Sequence, residues 1–212
     1  MSRYLIVGAG GIGVTVAAEL QRAGREVALV ARGSQLAALR AGRLRYARPD
    51  GTRPLSLPGL GAPDEIELAH GDVLVLATKT QDVEPVIAQW ARRPVKQADG
   101  TTRPAGVSIP VLTLQNGLEA ERVALRRFAT VFGAVLWVPA SYLGDGEVTA
   151  PGWPAVGSVW LGAYPAGPHP GVEPIAADLG AAGFETQVVD DIRRWKAAKL
   201  LSSATFALGA LY

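Results

Sequence analysis

Residues 4–31, YLIVGAGGIGVTVAAELQRAGREVALVA, decide the fold. Residues 4–7 are a short apolar run suited to a buried strand. They lead into Gly8, Gly10 and Gly13, a G-x-G-x-x-G loop that encloses Gly11 and Ile12. From residue 12 to 23 the apolar side chains recur at helical spacing, and Gly24 stops them. Residues 26–31 are a second apolar run. Strand, glycine turn, helix and strand within about 30 residues make a βαβ unit, which requires a parallel sheet and a right-handed crossover.

The alternation continues outward. Residues 34–41 read as a short helix, and 44–57, broken by Pro and Gly, as short strands and turns. Residues 72–77, DVLVLA, have the continuous apolar character of a strand buried on both faces. Residues 83–92 read as a helix, 93–108 as a surface loop, 109–114 as a strand, 119–127 as a helix and 130–138 as a strand. Residues 141–164 alternate apolar and polar between Gly-Asp-Gly and Pro-Gly turns, which suggests antiparallel strands at a sheet edge. A helix at 172–182 and a strand at 184–189 precede one long helix at 192–212, with Asp190 and Asp191 as its N-terminal caps. The expected architecture is α/β: a Rossmann-type, doubly wound, mostly parallel sheet with an antiparallel edge, followed by a long C-terminal helix.

Composition narrows the chemistry. The 212 residues are 49% hydrophobic and 19% charged, which is globular. A net charge of +2 with scattered arginines gives no nucleic-acid stripe. The absence of cysteine excludes disulfides, thiolate metal sites and a thiol nucleophile. His70 and His169 have no third ligand at metal-site spacing. No apolar run approaches the roughly 18 residues of a membrane span, and no signal peptide precedes the first strand, so a cytoplasmic location is expected. The glycine loop lacks the Lys-Ser/Thr ending of a P-loop, and no G-x-S-x-G elbow occurs.

A glycine loop in this setting is a diphosphate cradle. Gly8 permits the tight turn, Gly10 lets the backbone approach the pyrophosphate, and Gly13 brings the helix close to the sheet. The helix N-terminus then favours an anion. The second strand ends in Ala31-Arg32, with no carboxylate to repel a phosphate. A guanidinium there can pair with the 2′-phosphate of NADP(H), so NADP(H) is expected over NAD(H). Only four lysines accompany seventeen arginines. Lys79 and Asn116 each follow a strand, and in doubly wound sheets ligands bind outside the carboxyl ends of strands. Lys199 lies on an otherwise apolar stretch of the final helix, whereas Lys96 and Lys196 are expected in solvent.

The ordered set GAGGIG, the strand-end RG with LAALRAGRLR, ATKTQDV, LQNGLE, VFG, GEVTAPG and IRRWKAAKLL resembles the ketopantoate reductase (2-dehydropantoate 2-reductase) family over nearly the whole chain. The resemblance implies an NADP-binding Rossmann-like domain at residues 1–190. Residues 191–212 would be the first helix of a C-terminal helical domain, most of which is missing. It implies reduction of a 2-oxo acid or related small ketone by hydride from NADPH. Lys199 would be the general acid, and Lys79 and Asn116 polar residues of the cofactor and substrate cleft. Gly8, Gly10, Gly11, Ile12, Gly13 and Arg32 would hold the cofactor with them. Two positions depart from the family: Ser203 and Ala207 stand where asparagines are usual. A non-catalytic NADP-binding module, or a truncated and inactive reductase, is the alternative. The final helix, apolar on all faces, is expected to meet a partner subunit or a further domain, so a homo-oligomer is expected.

Overall fold

The computed structural model describes residues 2–144 and 146–209, with side chains up to residue 204. The main sheet has eight strands: β1 (Arg3–Val7), β2 (Glu26–Val30), β3 (Gly59–Leu60), β4 (Asp72–Leu76), β5 (Val111–Thr113), β6 (Val131–Trp137), β7 (Ser158–Ala163) and β8 (Glu185–Val188). The principal helices are α1 (Gly11–Arg22), α2 (Gly33–Arg40), α3 (Val83–Trp90), α4 (Ala120–Ala124), α5 (Val172–Ala181) and α6 (Ile192–Gly209). In space the strands run β8-β7-β6-β5-β4-β1-β2-β3. Strands β1 to β6 are parallel neighbours in the order 3-2-1-4-5-6 of a dinucleotide fold. Strand β7 is antiparallel to β6, and β8 is parallel to β7.

Alternation along β1 explains the two layers. Tyr4 and Ile6 belong to one apolar cluster with Val14, Ala17 and Leu20 of α1 and Ile175 and Leu179 of α5. Leu5 and Val7 point the other way, into a cluster with Val83, Ile87 and Trp90 of α3 and Ala120 and Ala124 of α4. Successive side chains of a strand face opposite sides, so a sheet covered on both faces needs this uninterrupted apolar run.

Register matters most for function. Val7 pairs with Val30 and with Leu76, and Leu76 pairs with Thr113. The carboxyl ends of β1, β2, β4 and β5 therefore lie in line. The residues that follow them (Gly8, Ala31-Arg32, Thr78-Lys79 and Gln115-Asn116) leave the sheet on one edge.

Three expectations need correction. Residues 93–108 are not a plain loop. They hold strands Pro94–Lys96 and Thr102–Pro104, paired in a three-stranded sheet with Leu68–Ala69, and a short helix Ala105–Ser108. Val95 and Ala105 are fully buried there. Residues 141–164 form antiparallel strands as expected, but they are divided between two sheets. Ser141–Gly144 and Glu147–Thr149 form a hairpin in a separate four-stranded sheet with Arg45–Arg48 and Gly51–Pro54, while β7 lies inside the main sheet and β8 forms its edge. Lys196 is buried rather than solvated.

Helix α6 docks on β6 and β7. Ile192 packs with Val135 and Val189, and Trp195 stacks on Trp160 with ring centroids 5.3 Å apart. Asp191 Oδ1 accepts a hydrogen bond from the backbone N–H of Arg193 at 3.1 Å, as a capping residue does. Leu200 and Leu201 are exposed while Lys196 points inward, so polarity on this helix is inverted relative to a simple amphipathic one. Residues 210–212 of the expected helix, and the side chain of Ala207, lie outside the described residues. No helix among the described residues is long and apolar enough to cross a membrane.

Candidate active site

The first part of the site is the turn after β1. Gly8 has φ +115°, and a Cβ there would lie 2.8 Å from the carbonyl carbon and oxygen of Ala77. A Cβ on Gly13 would lie 1.8 Å from the Gly8 carbonyl oxygen. Both contacts are with backbone, so glycine is required for β1, α1 and the end of β4 to come this close. Gly10 is different. It is the N-cap of α1, extended at φ −81° and ψ −174°, and a Cβ would meet nothing within 4 Å. Its open side belongs to a groove of about 540 Å³, in the size range of cofactor sites. Among the described residues no side chain caps α1, and its first turn carries no acidic residue. The free N–H groups and positive helix end are thus suited to an anion.

Arg32, Gln35, Thr78, Lys79, Asp82 and Tyr142 stand around the same groove. The Arg32 side chain is 75% exposed, and its guanidinium lies 3.8 Å from Asp82 Oδ2. Exposed pairs of this kind contribute little, so the guanidinium is available to a stronger anion. Gln35 donates from Nε2 to the Ala9 carbonyl at 2.6 Å, which ties α2 to the glycine turn. Gln35 Oε1 and Thr78 Oγ1 are buried on this groove without hydrogen-bond partners among the described residues. Buried polar atoms are nearly always paired, so a ligand with hydroxyl or amide groups fits them. These features together fit a dinucleotide.

Gly11 and Ile12 sit differently. A Cβ on Gly11 would lie 3.0 Å from the Ala140 carbonyl oxygen, and Ile12 packs on the apolar cluster beneath α1. Neither is among the residues around the groove, nor is Gly13. Gly13 acts through close packing of helix on strand.

The second part lies at the end of β5. A smaller cavity of about 140 Å³ is bounded by Gln115, Asn116, Lys196, Lys199 and Ser203, among others. Lys199 Nζ donates to Asn116 Oδ1 at 2.7 Å and to the Leu136 carbonyl at 2.5 Å, and it stands 5.7 Å from the centre of the Trp137 ring. Burial holds the Lys199 ammonium below the usual lysine range, and the nearby charge of Lys196 adds to the effect. Gln115 joins the two cavities: its Nε2 donates to the carbonyls of Leu76 and Thr78, each at 3.0 Å. Asn116 and Lys199 are thus brought together. Lys79 lies on the first groove and, among the described residues, is not part of the second cavity.

A family model described as ketopantoate reductase PanE/ApbA matches residues 4–166. The chain belongs to this family. It is 28% identical over 210 residues to the 2-dehydropantoate 2-reductase of Pyrococcus horikoshii, which covers 99% of the chain and 64% of the relative. It is 30% identical over 200 residues to that of Archaeoglobus fulgidus, covering 93% and 60%. The crystal structure of 2-dehydropantoate 2-reductase from Geobacter metallireducens superposes with a TM-score of 0.76 at 28% identity, covering 93% of the chain and 61% of that structure. The chain therefore spans less than two thirds of the length of these relatives.

Four residues with evident roles are not signalled by the glycine motif or by the strand-end rule. Gln35 and Asp82 flank the groove, and Glu121 and Lys196 form a buried pair behind the second cavity. Helical spacing holds the one available signal. Lys196 lies three residues before Lys199, so the two share a helix face.

Proposed function

We propose that the chain reduces a 2-oxo acid or related small ketone with NADPH, as a 2-dehydropantoate 2-reductase does. In this reading residues 1–190 are the NADP-binding domain and residues 191–212 the first helix of a C-terminal helical domain. The observation that carries it is the hydrogen bond from Lys199 to Asn116, made on the same sheet edge as an open glycine cradle with an arginine beside it.

The bare amides at Gly8 to Gly10 and the N-terminus of α1 would receive the diphosphate. Arg32 would pair with the 2′-phosphate, exchanging the weak contact with Asp82 for a charge-assisted one. Gln35 and Thr78 offer buried polar atoms to the ribose side. When bound, the reduced nicotinamide supplies hydride. As a ketone is reduced, negative charge grows on its oxygen, and an ammonium nearby stabilises that charge and can supply the proton. Lys199 holds that proton at Nζ, and Asn116 Oδ1 and the Leu136 carbonyl fix its direction. Lys79, exposed on the first groove, is a cation suited to a substrate carboxylate.

Oxidation of NADPH by the purified chain with a panel of 2-oxo acids tests this reading. Turnover supports it. Tight NADPH binding without turnover of any 2-oxo acid returns the alternatives, a non-catalytic NADP-binding module or a truncated, inactive reductase. Cofactor choice has its own test. Arg32→Ala is expected to weaken NADPH binding about 10- to 100-fold, the worth of a charge-assisted hydrogen bond, and NADH binding less than about threefold. Calorimetric titration with each dinucleotide reads the difference. Equal losses for the two would remove Arg32 from phosphate recognition.

A further inference from the structure

We propose that Lys196, clamped by Glu121, is a positioning residue: it holds the turn that carries Asn116 against the helix that carries Lys199, so that the two meet in one cavity. This deepens the reductase reading and rests on it.

The side chains of Lys196 and Glu121 are 3% and 0% exposed. Lys196 Nζ donates to Glu121 Oε1 and, at 2.7 Å, to the backbone carbonyl of Gln115. Glu121 Oε1 also accepts from Thr113 Oγ1 at 2.5 Å. One carboxylate oxygen thus joins α4, β5 and α6. Gly133 on β6 makes room for it: a Cβ there would lie 3.2 Å from Glu121 Cγ and Oε1.

The carbonyl gripped by Lys196 belongs to the residue immediately before Asn116. The Gln115 side chain meanwhile binds the backbone beyond β4. The turn is therefore fixed from two directions, one toward the first groove and one toward α6. An apolar pair would fill the same space without the cost of desolvating two charges. It could not grip the Gln115 carbonyl, nor place a cation three residues from Lys199 on the same helix face. Among the described residues, the groups around Lys199 are few. Lys196 lies on its own helix with Glu121 of α4 behind it, and Asn116, the Leu136 carbonyl, the Trp137 ring and Ser203 are neutral. Lys196 is thus the charge that acts on it most directly.

The experiment is competitive reductive methylation of the intact chain with formaldehyde across pH, with each lysine followed by mass spectrometry. In the wild type, Lys196 is expected to label at least about tenfold more slowly than the exposed Lys79, as burial requires. Equal labelling overturns the proposal. The double substitution Glu121→Gln with Lys196→Met removes the pair while keeping volume and leaving no buried charge unpaired. In it the labelling midpoint of Lys199 is expected to rise, because Lys199 stays buried but loses the neighbouring cation that helps to hold its ammonium below the usual range. An unchanged midpoint in a folded double variant assigns the pair to packing alone and overturns the proposal. Should the double variant fail to fold, the Lys199 midpoint is read in Lys196→Gln, whose amide still donates to Glu121 but carries no charge, with the same two outcomes. None of these readouts needs turnover, so a wild-type chain that reduces no 2-oxo acid refutes the reductase reading while the labelling separately judges the clamp. Where turnover is measurable, the double variant is expected to lower kcat with NADPH affinity unchanged.

Discussion

Gly13→Ala is expected to abolish dinucleotide binding and to cost the fold about 3 kcal/mol or more, the range of severe overpacking against backbone. The added methyl would lie 1.8 Å from the Gly8 carbonyl oxygen and 3.1 Å from Ala77 Cβ. Gly8 has little room to retreat on its Cβ side, where an added methyl would already lie 2.8 Å from the backbone of Ala77. Relief requires α1 to move away from β1, and that movement destroys the cradle. Gly10→Ala is the informative contrast. Its φ of −81° suits any residue, and among the described residues no atom stands within 4 Å of the new methyl. Its melting temperature is expected to match the wild type within about 2 °C, since no contact is strained. The methyl would nonetheless enter the space proposed for the diphosphate, and affinity for NADPH and NADH is expected to fall together by about tenfold or more, or at least 1.4 kcal/mol. Thermal melts and calorimetric titration of the two variants check both halves. Undiminished NADPH binding by Gly10→Ala would show that the phosphates lie elsewhere.

The contrast also shows what sequence can reveal. Residues 4–31 were legible because strand period, helix period and glycine spacing agree over one continuous stretch, and all the partners are local. The alignment of strand ends follows from the same unit by topology, which puts Lys79 and Asn116 on the edge where β4 and β5 end. The small sheet around Val95 was not legible. Its strands are three residues or fewer, Pro94 and Pro104 bound two of them, and the pairing depends on Leu68–Ala69 more than 20 residues away. Such strands carry no period of their own and are held by tertiary contacts. Lys196 failed for a related reason. A lysine near the start of a helix normally lies in solvent, and the carboxylate that reverses this is 75 residues distant in sequence. Gln35 and Gln115 act on backbone carbonyls, which leave no trace in residue identity.

Lys199→Met is expected to lower turnover of a 2-oxo acid by about 10²- to 10⁴-fold, the span of general acid catalysis, with NADPH affinity within about twofold of wild type. The affinity should hold because Lys199 stands on the cavity beyond Gln115 and not on the dinucleotide groove. The pH profile supplies an independent sign. A proton donor acts while protonated, so turnover is expected to be highest below the pKa of Lys199 and to fall as pH rises through it. Burial, with Lys196 adding its charge, lowers that pKa from the ordinary 10.5, so the fall comes at lower pH than for a solvated lysine. Lys199→Arg separates the two duties of the ammonium. A guanidinium keeps the positive charge beside the developing oxyanion but does not give up its proton in this range. It is therefore expected to recover part of the loss seen with methionine and to erase the alkaline fall. Steady-state kinetics of the three proteins from pH 6 to 10 make the comparison. Wild-type turnover and an unshifted profile in Lys199→Met would reduce this lysine to a cation resting on Trp137, and the proton would have to come from another group.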